Sequence, residues 1–506
     1  MQRLVLRCAP LLLLFAALAS CRAPFEPDDG GTLPPPPPPG PLLPLRIGAL
    51  GPDYARAVAT DPGGDVFVAS YFSNSVDFDA SSGATVRPAS GPYDIAVARY
   101  GPDGTFRWVF TIGGTGADVP YQIKLGNDGS AYVTGYLTSG ALCNGRPVLN
   151  KGGQDIFLMR ITANGTCDWA VSVGSTGDDQ GHDLAIESSG DVLVTGSFTG
   201  TVNFATGSTP AVLISRGFTD GFIARYAPDG SFESVVQFGG TGDDAGNAII
   251  VRPDGDIMVA GAFSGTASFG SLLTPQVLVS AGGFDYFLAR MAPTLGLQWA
   301  VRGGGVGNDV VGTGGIALAL NDVTYISGTF SGIASVGPGA GITALVSHGD
   351  ADIFIANYDA NGTWASFARV IGGIGTDAVA TFVRDDFGNF FLGGSFQGSV
   401  DFDPGSGVHV VNARAVGGAA DAFVLSLDPA GDLRWVNPLG AAVSGDVNFG
   451  ATSGISLAPD GTLWAVGRFF GRVDFDPGTD AVERQNVGDA DQFVVRYQQA
   501  TGAIVR

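Results

Sequence analysis

From Val171 to Trp299 one pattern is written twice. VSVGSTGDDQGHDLAIESSGDVLVTGSFTG and FTDGFIARYAPDGSF are answered by VQFGGTGDDAGNAIIVRPDGDIMVAGAFSG and GFDYFLARMAPTLGLQW. A period of about 65 residues constrains the fold more than any other feature, because each copy must fold as one supersecondary unit and bury its faces on its neighbours. The position of Trp108 recurs at Trp169, Ser234, Trp299, Ser366, Trp435 and Arg506, which makes seven copies between residues 43 and 506.

Each copy reads as four strands. In the first they are expected near Ala55–Asp61, Asp65–Ser73, Asp94–Tyr100 and Thr105–Ile112, with a long loop between the second and third. Pro62-Gly63-Gly64, Asn127-Asp128-Gly129 and Pro253-Asp254-Gly255 close first hairpins, and Pro102-Asp103-Gly104 and Pro228-Asp229-Gly230 close second ones. Proline presets φ for a turn and glycine accepts positive φ. Runs such as Val192-Leu193-Val194 are apolar at consecutive positions, as in strands covered on both faces.

The expected fold is therefore all-β: a seven-bladed β-propeller of four-stranded antiparallel blades, with an open β-solenoid as the competing arrangement. Two features favour closure. Neither end carries a polar capping unit, and the ends are complementary. Gly502–Arg506 matches the first half of a fourth strand and Leu43–Gly48 the second half, so the last blade is expected to be closed by the N-terminal segment, leaving no open edge.

Residues 1–20 read as a signal peptide, with Arg3 and Arg7 before the apolar run Leu11–Leu18. Leu18-Ala19-Ser20-Cys21 resembles a bacterial lipobox, which implies cleavage before Cys21 and lipid on its thiol; the competing reading is an ordinary signal peptide that contains a cysteine. Arg22 in place of Asp resembles lipoproteins sorted to the outer rather than the inner membrane. Residues 21–42, with Pro34 to Pro39, form a stiff spacer rising about 3.1 Å per residue. The expected order is thus signal peptide (1–20), lipidated linker (21–42) and a single propeller domain (43–506), with the lipid as the membrane attachment.

The run G-G-x-G-x-D, the Asp-Gly turn, V-D-F-D-P-G, G-x-D-x-F and P-D-G-x-x-x-W resembles the bacterial seven-bladed propeller repeat (SBBP) family over nearly all of residues 43–506. The resemblance implies the fold and a surface or secreted protein. It implies no chemistry, since fold does not give function.

With 48 acidic against 26 basic residues the formal charge is −22, which excludes nucleic-acid backbones as a partner and favours cations or basic partners, or serves solubility alone. An Asp opens the third strand of every copy (Asp94, Asp155, Asp220, Asp285, Asp352, Asp421, Asp491). Another follows every glycine-rich loop (Asp53, Asp118, Asp179, Asp244, Asp309, Asp377, Asp446). A single substrate cannot need seven equivalents, so these carboxylates are expected to fix loops through backbone N–H groups.

Asp77 and Asp79, Asp401 and Asp403, and Asp474 and Asp476 flank a buried Phe and face the same way about 7 Å apart, a candidate Ca²⁺ site for which turn formation is the competing role. A specific site should instead differ between copies. Three residues after the loop Asp stand Arg56, Tyr121, His182, Asn247 and Ala380, near the mouth of the expected central channel; the first four are the candidate ligand-binding residues. Cys143 and Cys167 replace two large apolar residues within one copy, and an exported chain permits a disulfide between them; two unrelated buried thiols are the alternative.

No nucleophile–His–acid constellation, clustered histidines or phosphate loop is present. The expected protein is a monomeric envelope module for binding or display through its acidic loop face, with a protein or polysaccharide as ligand. The alternatives are a propeller enzyme acting on polysaccharide, with Asp183 beside His182 as its nearest candidate acid, or a purely structural surface protein.

Overall fold

A computed structural model describes residues 43–506 apart from 82, 271–272, 338–343, 416–417, 443–448, 477 and 479–480. The signal peptide, Cys21, the proline spacer, Asp446 and Pro477 lie outside the described residues. The described residues are all-β, without a helix, and no helix among them is long and apolar enough to cross a membrane.

The first sheet pairs Tyr54–Thr60, Val66–Phe72, Asp94–Tyr100 and Phe106–Ile112 in sequential antiparallel order, within a residue or so of the expected strands. The same order returns in sheets that begin at Val119, Gln180, Asp244, Val310 and Ala378. The sheet that begins at Phe449 takes its outermost strand from the start of the chain, where Leu45, Arg46 and Ile47 pair with Val494, Phe493 and Gln492. One part differs from expectation. The stretch read as a long loop folds into a small hairpin, Ser75–Asp77 against Val86–Pro88 in the first unit, with counterparts in the others. Only three residues pair on each side, too few for an alternating pattern to announce them.

The first strands of successive units pack side by side, and the strand Phe449–Leu457 packs in turn against Tyr54–Thr60. One buried cluster joins Val66, Val68 and Tyr100 of the first sheet to Trp464, Val466 and Val494 of the last, with Leu43, Leu45 and Ile47 filling in. Polar ties accompany this packing. Trp108, Trp169, Trp299 and Trp435 each donate the indole N–H to a backbone carbonyl in the next unit's outer turn, at 3.1, 2.9, 2.9 and 2.9 Å. Arg99, Arg225 and Arg290 reach carbonyls of the corresponding turns in the next unit from the third strand, and Arg496 does so from the last sheet to Pro102 in the first, at 2.6 Å. Where the third strand carries Asn357 or Ser426 instead, Arg369 and Arg434 reach the next turn from the fourth strand.

Candidate functional site

The loop carboxylates behave as clamps. Asp179 accepts N–H groups from Ser175 in its own loop and from Thr199 beyond the second strand, both at 2.6 Å, and Asp53, Asp118 and Asp377 repeat the arrangement. Each clamp faces the third-strand Asp of the preceding unit across a glycine. A Cβ added to Gly174 would lie 2.6 Å from Asp155 Cγ and 3.0 Å from Asp179 Oδ2, so no side chain fits there. Burial raises the carboxyls of Asp53 and Asp244 to about 7, and of Asp118, Asp155, Asp309 and Asp377 to about 6, against the pull of their backbone hydrogen bonds. The neighbouring Asp adds repulsion in each of these pairs.

Two residues on from each described clamp the first strand loses register, and the last unit, where Gly450 makes the clamp's backbone contact, shifts at the same point. The shifts fall at Ala55/Ala57, Pro120/Gln122, Gly181/Asp183, Gly246/Ala248, Val379/Thr381 and Thr452/Gly454. The skipped residue is a bulge, turned out of the ladder. It is Arg56, Tyr121, His182, Asn247, Ala380 or Ser453, so the four residues expected near the channel mouth are bulge residues. They touch in sequence. The Arg56 guanidinium sits 4.9 Å from the Tyr121 ring centroid, and Tyr121 meets His182 edge-on at 5.6 Å. His182 Nδ1 lies 3.0 Å from Asn247 Oδ1 and 3.1 Å from the Gly246 carbonyl, and its Nε2 lies 3.1 Å from Gln180 Oε1. Asn247 in turn donates to the Val311 carbonyl at 3.0 Å. Burial lowers the His182 pKa, which keeps the ring neutral near pH 7.

The fifth unit departs from the rule. Its register jumps from Val311 to Ile316, leaving Gly312 to Gly315 as an extended bulge. At Gly314, where φ is +64°, a Cβ would come 3.3 Å from Nε2 of Gln122 in the second unit, so the absence of a side chain permits the approach.

The first strands of all these units surround one cavity of about 730 Å³. Arg56, Tyr121, Gln122, Lys124, Asp183 and Arg384 are among its walls. Asp183 is its one carboxylate among the described residues. It is 1% exposed, and its oxygens accept N–H groups from Leu184 at 2.8 Å and, across the unit boundary, from Ile249 at 2.9 Å. Burial raises its pKa, opposed most strongly by Lys124. Asp183 adjoins His182 in sequence, yet no hydrogen bond joins the two; the histidine instead binds Asn247, Gly246 and Gln180.

The paired carboxylates considered for Ca²⁺ are engaged in turns. Asp77 Oδ1 accepts N–H groups from Asp79 and Thr85 at 3.1 and 2.8 Å, Asp401 from Asp403 and His409 at 3.1 and 2.8 Å, and Asp474 from Asp476 and Val482 at 3.0 and 2.9 Å. Among the described residues no group of three or more His, Cys, Asp or Glu side chains is arranged to hold a metal ion. Cys143 and Cys167 form a disulfide with Cα atoms 5.5 Å apart. In the other units the same two positions share one core cluster, as Phe78 with Phe106 and Phe402 with Leu433 do.

Gln122, Lys124 and Arg384 escaped the sequence reading. The signal was available in two places: Lys124 is one of two lysines in the chain, and the position after the bulge varies as Ala57, Gln122, Asp183, Ala248, Thr381 and Gly454.

Set against known proteins, the chain is an all-β antiparallel repeat protein with WD-repeat-like relatives. No family model matches it. It is 23% identical over 334 residues to an uncharacterized WD repeat-containing protein, L264, of Acanthamoeba polyphaga mimivirus, covering 54% of this chain and 24% of that protein. It is 28% identical over 186 residues to the regulatory protein FlaEY of Caulobacter vibrioides, covering 36% of this chain and 19% of that one. The matched region is thus about a quarter or less of the length of these relatives. A crystal structure of a protein of unknown function from Bacteroides caccae aligns with a TM-score of 0.28 at 12% identity, over 62% of this chain and 80% of that one.

Proposed function

We propose that the chain is a seven-bladed propeller of the SBBP-like kind, closed by its N-terminal segment and tethered to the bacterial outer membrane by lipid on Cys21. Its work is to bind a ligand in the central cavity, at the end nearest the acidic loop face. One observation carries this reading: unlike side chains at equivalent repeat positions, Arg56, Tyr121, His182 and Asn247, touch in sequence, and two of them, Arg56 and Tyr121, line the central cavity. Scaffold positions repeat, whereas a site needs difference.

The enzymatic alternative is the weaker one. Polysaccharide hydrolysis generally uses two carboxyl groups, about 5–9.5 Å apart. Asp183 stands without a second among the described lining residues, and both its oxygens are taken by the backbone.

A Trp in place of Thr313, which lines the cavity on the glycine-rich bulge, tests the reading. Ligands found by screening the purified protein against envelope glycan fragments and small metabolites should bind the unaltered protein and not Thr313→Trp. Ligands that all bind both proteins equally well would place binding elsewhere and end the proposal. For the anchor, mass spectrometry of the mature protein should find acylated Cys21, and an unmodified N-terminus would contradict it.

A further inference from the structure

The cavity's charge runs against that of the chain. Acidic residues outnumber basic ones 48 to 26, yet Arg56, Lys124 and Arg384 all line this one space. Many arginines elsewhere are ion-paired: Arg99 binds Asp61 and Asp65, Arg290 binds Asp254 and Asp256, Arg225 binds Glu187, and Arg46 binds Asp491, though Arg87, Arg369 and Arg468 are not paired among the described residues. None of the three cavity cations has an ion pair among the described residues. Arg56 rests on the Tyr121 ring, Arg384 lies over Tyr325 and Phe390, and the Arg384 Nε is buried without a hydrogen-bond partner.

The one carboxylate in the wall, Asp183, offsets them only in part, through its attraction to Lys124. Asp183 spends both oxygens on backbone N–H groups, and burial favours its neutral form. Arg56 and Arg384 are half-buried and Lys124 is exposed, so all three keep a charge that a visiting anion can reach. The remaining polar wall, Gln122, Thr313, Thr381 and Ser453, offers amide and hydroxyl groups suited to hydroxyls rather than to an apolar body. A volume of about 730 Å³ is of the size that encloses a small organic molecule.

Building on the cavity as the binding site, we infer that its ligand is a small polyhydroxylated anion, a sugar acid or sugar phosphate, held by Arg56 and Lys124 with its hydroxyls on the Gln122 and Thr381 side. Arg384, near the far end of its strand, adds positive potential from the opposite side of the cavity. The two sources of negative charge, carboxylate and phosphate, share this chemistry.

Calorimetric titration of the purified protein with D-glucuronate, D-glucose 6-phosphate and neutral D-glucose tests the inference and tells the two anions apart. At least one anion should bind at least about tenfold more tightly than glucose, and Lys124→Met or Arg56→Met should weaken it by at least about tenfold with little change in melting temperature. Addition of 0.5 M NaCl should weaken the anion and leave glucose unaffected. Equal binding of glucose and the anions, or anion binding indifferent to both substitutions, overturns the inference. If Thr313→Trp abolishes that charge-indifferent binding, the cavity remains a binding site and only the anion assignment falls. If Thr313→Trp leaves it intact, the cavity reading falls as well. Absence of binding by both anions at 10 mM also overturns the inference, whereas the cavity reading is then decided by the wider screen.

Discussion

Asp179, just before the strand Gln180–Ile186, and His182, three residues on and within it, are opposites. Asp179 is one of a set found buried in six units among the described residues, and it is occupied with the backbone of its own unit. His182 is unlike its counterparts Arg56, Tyr121 and Asn247, and its partners lie largely in neighbouring units. In a repeat protein, identity between units marks what every unit needs in order to fold. Difference marks what the whole can do once. The bulge supplies the separation: the clamp holds the loop, and the next skipped residue is released from the ladder to vary.

The largest effect is expected where the clamp is tightest. Gly174→Ala forces a methyl group against Asp155 and Asp179 and should destabilise the protein by about 3 kcal/mol or more, read as a shift in the urea midpoint. An unchanged midpoint would mean that the paired carboxylates are not packed as described. Reduction comes next. The disulfide spans 24 positions, and opening a loop of that size should cost about 3 kcal/mol on the chain-entropy account, lowering the urea midpoint in a thiol reductant. Cys143→Phe/Cys167→Phe, which restores the residues used by the first unit, should recover part of the loss by apolar contact.

A third effect is spread over the units. The clamps have folded pKa values above the ordinary carboxylate value, so the folded state holds more protons than the unfolded state between about pH 4 and 7. Their favourable contribution is full below the unfolded pKa and is lost as pH rises through about 6 to 7. Thermal unfolding should accordingly come at higher temperature at pH 5 than at pH 8, and the reverse order would contradict burial as the dominant influence. The smallest effect is expected at the turn carboxylates. Asp77→Ala loses two hydrogen bonds in an exposed turn and should cost about 1 kcal/mol, with the melting temperature indifferent to added Ca²⁺ or EDTA. A Ca²⁺-dependent rise in melting temperature that disappears in Asp77→Ala would restore the metal reading.

Much of this is legible in the sequence. Proline, Asp-Gly turns and doubly apolar strands fix four-strand units, and the simultaneous exchange of two apolar residues for Cys143 and Cys167 pointed to their contact. The carboxylate clamps were legible as scaffold because they repeat. What could not be read were contacts between units. Nothing in the string Gly-Thr-Gly-Gly says that Gly314 approaches Gln122, three units earlier in the chain. Nor does Ser426 announce that Arg434 takes over the contact made elsewhere by a third-strand arginine. Such contacts depend on how successive sheets are set against one another, and local pattern does not encode that. Lys124 was overlooked for the same reason, since its surroundings come from other units.

Paired urea titrations of Asp179→Ala and His182→Ala test the central contrast most directly. Asp179→Ala strands two loop N–H groups and should lose about 2–4 kcal/mol, whereas His182→Ala should stay within about 1 kcal/mol of the unaltered protein. Equal losses, or a larger loss at His182, would contradict the division between repeated scaffold and unit-specific site.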